Sequence, residues 1–133
     1  MFKLPFWDRF FGPEAEARQL NRDAVAIIEV AREGYSVART REMALLTRDT
    51  LEELSDRGGA NADPDVMLGE MKMKHREARR SREQVELTAF TLVIIDLRAR
   101  AAGEAADPAR AAIAEFCQDW AHAADGQEGT RLL

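Results

Sequence analysis

The chain has one cysteine, two histidines, four prolines and no extended apolar run. Each shortage excludes something. A single cysteine, Cys117, forbids an internal disulfide, and two imidazoles are too few to build a thiolate or histidine metal cluster within one chain. No stretch approaches the roughly 18 apolar residues that a membrane span requires. Asp8 and Arg9 interrupt the N-terminus where a secretory signal carries its apolar segment, so a cytoplasmic location is the default expectation. Few prolines, eight glycines and the absence of any low-complexity tract argue for a folded domain over its 133 residues. There is no glycine-rich phosphate loop, and no Ser-His-Asp or Cys-His arrangement stands out. A non-enzymatic protein without metal or cofactor is therefore expected.

What is present is helical punctuation. Pro13 follows Gly12 at a position suited to the first helical turn, with Glu14 and Glu16 complementing the positive end of the helix dipole. The next strong break is Gly58-Gly59, which predicts one helix over 13–57, with Gly34 as its weak point. Asp63-Pro64 and Asp107-Pro108 repeat one start signal, a capping carboxylate followed by proline. They predict a second helix over 64–102, stopped by Gly103, and a third over about 108–124. The expected fold is all-α: a long antiparallel hairpin, the third helix packed at its open end, and a short N-terminal amphipathic helix. Residues 1–12 form the aromatic segment, 13–125 the hairpin domain and 126–133 a flexible tail.

Apolar spacing supports the helices. Met67, Met71, Lys74, Ala78, Ser81, Val85, Thr88, Leu92, Ile95, Ala99 and Ala102 alternate spacings of four and three, as in a coiled-coil seam with a polar middle. The run TLVIIDL at 91–97 is apolar on all sides, so a strand ending at Asp96 is the competing reading. As a helix it must be buried on more than one face. At the open end, Val25, Ile27, Ile28 and Val30 are expected to face Leu92, Val93, Ile95 and Leu97 beneath Phe116 and Trp120. Leu51 and Leu54 are expected to meet Val66, Met67 and Met71 at the tip.

Folding the two long helices back at the glycines lays residue i beside about residue 121 minus i. Segment 39–49 then lies beside 72–82, gathering Arg39, Arg41, Arg48, Lys72, Lys74, Arg76, Arg79, Arg80 and Arg82 into a band of net charge +6, in a chain whose total is −5. Such a band suits an anion: a nucleic-acid backbone, an acidic lipid surface or an acidic protein. Its plainer explanation is a solvated helix pair, and the band holds no aromatic side chain for stacking on single-stranded bases. Along the third helix, Glu115, Asp119, His122 and Asp125 share one face, which reads as an ordinary polar face rather than a metal site.

Five of the nine aromatic residues, Phe2, Phe6, Trp7, Phe10 and Phe11, lie in the first eleven positions. Phe6, Trp7, Phe10 and Phe11 fall on one face of a two-turn helix. Its cover is the protein's own open end, a groove on a partner protein, or a membrane interface. The sequence thus points to a helical adaptor, assembly factor or accessory subunit docking through that segment and the distal hairpin arm. A homodimer or higher oligomer is expected, since a two-helix arm cannot bury wide apolar stripes alone. Nucleic-acid binding by the basic band is the second reading, and peripheral membrane attachment the third.

Overall fold

The computed structural model describes residues 12–131, and among them every regular element is helical. The order is α1 (Pro13–Gly34), α2 (Val37–Ser55), a single 3₁₀ turn (Gly59–Ala62), α3 (Pro64–Ser81), α4 (Gln84–Ala102), a second 3₁₀ turn (Glu104–Ala106) and α5 (Asp107–Arg131). Two of the start signals read from sequence hold, while Asp107, expected as a cap, is itself the first helical residue of α5, at φ −57° and ψ −36°. Pro13 opens α1 after Gly12, and Asp63 caps α3 by accepting a 2.8 Å hydrogen bond from the Asp65 N–H. Gly103 closes α4 at φ 85°, a conformation that glycine adopts at no steric cost. α5 runs on through Gly126 to Arg131. Residues 1–11, with the expected aromatic helix, lie outside the described residues.

The two long rods are corrected to four helices. The first breaks at Gly34, where Tyr35 is extended and Ser36 begins α2 as an N-cap, accepting a 3.2 Å hydrogen bond from the Arg39 N–H. Buried Thr40 fixes this reversal: its hydroxyl lies 2.8 Å from the Ala31 carbonyl and 2.9 Å from the Ser36 carbonyl, donating across the end of α1. The second rod breaks at Arg82, which is left-handed at φ 59° and ψ 33°. The Glu83 N–H donates 3.0 Å back to the Ala78 carbonyl, so a glycine-type helix stop is built on an arginine. α3 therefore folds back on α4, and the seam expected to run straight from Met67 to Ala102 is instead split between two antiparallel helices. Tyr35 donates a 3.1 Å hydrogen bond to Gln84 Oε1, which places both breaks at the same pole.

α4 is the axis. Ala89, Phe90, Leu92, Val93, Ile95, Asp96, Leu97 and Ala99 are all buried, so the TLVIIDL run is a helix enclosed on several sides, as its composition requires. α1, α5 and α2 wall one side, and α3 lies on the other. Leu20, Ile28, Met43, Leu92, Ile95, Ile113 and Phe116 share the larger core, with Trp120 at its margin. Val25 and Val30, expected inside, are exposed, Val30 at the edge of a hollow between α1 and α4. A second core joins Leu54, Met67, Met71, Phe90, Val93 and Leu97, with Leu51 packed against it; Val66 is exposed. α2 and α3 meet at that end, where Arg57 reaches Glu70 at 2.6 Å, but do not lie along one another. The expected pairing of 39–49 with 72–82 is thus replaced by α2 against α4 and α5.

Candidate functional site

Walls on α1 and α3 leave part of α4 uncovered between them. The gap is a cleft of about 450 Å³. Its floor is Thr91, Ile94, Ile95 and Arg98, which recur at i, i+3, i+4 and i+7 on α4; Leu20, Asp23 and Ile27 come from α1. The opposite wall is Lys72, His75, Arg76 and Arg79, spaced in the same way on α3. This stripe stands to one side of Met67, Met71 and Ala78, the buried face by which α3 packs on α4. The spacing that buries one flank of the helix therefore presents its neighbour to the cleft.

The cations here are gathered on one surface without ion-pair partners. Arg32, Arg48, Arg57, Arg100 and Arg110 each reach a carboxylate within 4 Å. Lys72, Arg76, Arg79 and Arg98 are exposed and make no ion pair among the described residues. Asp23, the acidic group of the cleft, accepts a 2.7 Å hydrogen bond from Gln19 Nε2. Four like charges over a low-dielectric floor produce a local positive field in an acidic protein. That field is suited to a carboxylate or phosphate.

The cleft continues toward the pole where the helices break. A second hollow of about 300 Å³ is lined by Ala26, Val30, Ala31, Tyr35, Leu87 and Thr88, and shares Ile27 and Thr91 with the first. It holds no charged side chain. Val30 is 60% exposed at its edge, and Ile27 and Leu87 are half-buried. One end of the groove is thus cationic and the other apolar.

The nine basic residues expected to form one band are divided. Lys72, Arg76 and Arg79 enter the cleft. Lys74 turns to the other flank of α3, 6.0 Å from the centre of the Phe90 ring and close to Glu77 and Glu86. Arg39, Arg41 and Arg48 belong to α2, with Arg48 3.2 Å from Asp49. Arg80 is exposed and Arg82 carries the helix stop. The break at Arg82 separates what the hairpin reading had joined. Arg98 and His75 are site residues that sequence reasoning missed; Arg98 joins the cleft only because α3 and α4 are neighbours. The aromatic candidates Phe2, Phe6, Trp7, Phe10 and Phe11 lie outside the described residues.

A second polar centre sits within the core. Asp96 is 5% exposed, with Arg100 Nε 3.0 Å from one carboxylate oxygen and Arg110 Nε 3.7 Å from the other. Burial pushes its carboxyl above the ordinary range, an effect the two arginines oppose. Burial also raises the Cys117 thiol to about 11, with the Asp96 charge adding to the shift. At neutral pH Cys117 is a protonated core residue rather than a nucleophile. Among the described residues, no three ligating side chains converge as a metal site would need, and no helix is long and apolar enough to cross a membrane. Asp119 pairs with Arg32 at 3.8 Å, while the side chains of His122 and Asp125 lie outside the described ones. Compared with protein-family models, curated proteins and solved structures, the chain matches none.

Proposed function

We propose that this chain is a non-enzymatic helical interaction protein, an adaptor or accessory subunit, whose recognition surface is the groove between α1 and α3. What it takes there is an anionic group carried on an apolar body. The observation behind this reading is the set of unpaired cations, Lys72, Arg76, Arg79 and Arg98, above a floor of partly exposed isoleucine. Elsewhere Arg32, Arg48, Arg57, Arg100 and Arg110 have carboxylate partners, while Arg22, Arg39, Arg80 and Arg82 make no ion pair among the described residues either. What sets the cleft apart is that one lysine and three arginines without ion-pair partners are gathered at one concave surface. The aromatic segment of Phe2, Phe6, Trp7, Phe10 and Phe11 supplies a second contact, to a partner or a membrane interface. Since α3 folds back on α4, the chain covers its own apolar stripe, and this reading does not require a second copy.

The test is an anionic aromatic probe, anilinonaphthalene sulfonate, which fluoresces on transfer to an apolar site. Saturable binding by the native protein is expected, and its loss in the Arg76→Glu/Arg79→Glu variant at unchanged helicity. Equal binding by both proteins would remove the groove from consideration. Nucleic-acid binding is favoured less by this geometry, because the basic residues of α2 and α3 are apart and no Phe, Tyr or Trp lines the cationic hollow. A mobility shift with duplex DNA that weakens steeply with salt would restore it.

A further inference from the structure

Resting on that reading, we infer that the groove's ligand is a single-chain fatty acid anion, its carboxylate held by Lys72, Arg76 and Arg98 and its acyl chain laid along α4 toward Leu87 and Val30. The argument is the gradient along the groove. The cationic hollow and the uncharged one share Ile27 and Thr91, so they form one continuous surface with charge at a single end. An amphiphile has that distribution. Their volumes, about 450 and about 300 Å³, fall in the range of sites that enclose small molecules.

Length agrees. From Leu20 to Ala31 on α1 the groove extends about 16 Å at the helical rise of ~1.5 Å per residue. One leaflet of a bilayer core, the depth an acyl chain occupies, is about 15 Å. A partner helix fits less well. At ~10–12 Å in diameter it would ride over these hollows rather than fill them, and it would leave the apolar end against its own polar face.

The energetic logic is also that of an amphiphile. Val30, Leu87, Ile27 and Ile94 are each left partly or largely exposed, and an acyl chain would remove them from water together. The carboxylate would meet guanidinium groups able to bind it through two parallel hydrogen bonds. Neither end of the groove explains the other unless one molecule spans both.

The experiment uses the full chain and four probes: palmitate, palmitate methyl ester, vesicles containing an anionic phospholipid, and an acidic amphipathic peptide. Displacement of bound anilinonaphthalene sulfonate by palmitate at one equivalent per chain is expected. The methyl ester, lacking the charge, should bind about tenfold or more weakly. Arg76→Glu/Arg79→Glu should weaken palmitate by a similar factor, and Val30→Glu at the far end should weaken it without altering helicity. Equal affinity for the ester would overturn the assignment of the cationic end as the carboxylate site. Binding of the dye with no displacement by palmitate would sink the fatty acid while leaving the anion-binding groove in place. Capture by anionic vesicles without palmitate binding would replace the monomeric ligand with a lipid surface. Displacement by an acidic amphipathic peptide alone would replace it with a partner helix.

Discussion

The two sides of α4 are built differently. Toward α1, α2 and α5, Leu92, Ile113, Phe116 and Met43 are fully buried, and the one carboxylate among them, Asp96, has two arginines within reach. Toward the gap between α1 and α3, isoleucines are half-covered and cations have no partners. One side meets the demands of folding, where buried apolar atoms contribute and the buried carboxylate's desolvation is offset in part by its arginines. Leaving the other incomplete costs stability without helping the fold, which is why it reads as a surface for binding. Stability and recognition should therefore respond to different mutations.

The strongest test of the closed side is Phe116→Ala. It should lower the unfolding free energy by about 3–5 kcal/mol in a urea titration, because the surrounding helices cannot collapse into the space. Asn21→Ala should follow at about 1–2 kcal/mol. Asn21 donates a 3.0 Å hydrogen bond to the Ala105 carbonyl and accepts one of 2.9 Å from the Ala109 N–H, tying the start of α5 to α1. Arg82→Gly should act in the opposite sense, stabilising by about 0.5–1 kcal/mol, since it relieves a left-handed conformation that side chains disfavour. The midpoint of thermal unfolding should rise accordingly.

Asp96 sharpens the comparison through pH. A carboxyl raised above its unfolded value of 3.8 binds its proton more tightly in the fold, so its stabilising contribution is present below that pH and is lost as pH rises through the folded value. Asp96→Asn should abolish this slope in stability measured from mildly acid to neutral pH. The smallest effect belongs to the open side. Arg76→Glu/Arg79→Glu should change stability by no more than about 0.5 kcal/mol while abolishing dye binding. A large loss of stability there would merge the two sides into one.

Much of this arrangement was legible in particular residues. Pro13, Asp63-Pro64, Gly103 and Asp107-Pro108 act through local backbone chemistry, so their effects survive any tertiary setting. The all-round apolar character of residues 91–97 foretold a central helix. Arg82 gave no such signal. An arginine can take the left-handed conformation when packing compensates, and the fit of Met67, Met71 and Ala78 against Phe90 and Val93 does so. Gly34 was visible as a weak point, but its consequence depended on Thr40 reaching back to Ala31. The cleft was half legible. Lys72, His75, Arg76 and Arg79 carry helical spacing in the sequence itself, yet their pairing with Arg98 follows only from the reversal at Arg82. Reading through that reversal joined the stripe to Arg39, Arg41 and Arg48 on the wrong neighbour.

The central placement of α4 also governs how the molecule opens. Its peptide groups are shielded by four other helices, so solvent deuterium can reach the amides of Leu92 through Ala99 only when the bundle as a whole comes apart. Those amides should exchange last and with one common opening free energy, making α4 an internal gauge of global unfolding, while the outward amides of α3 exchange through smaller, local openings.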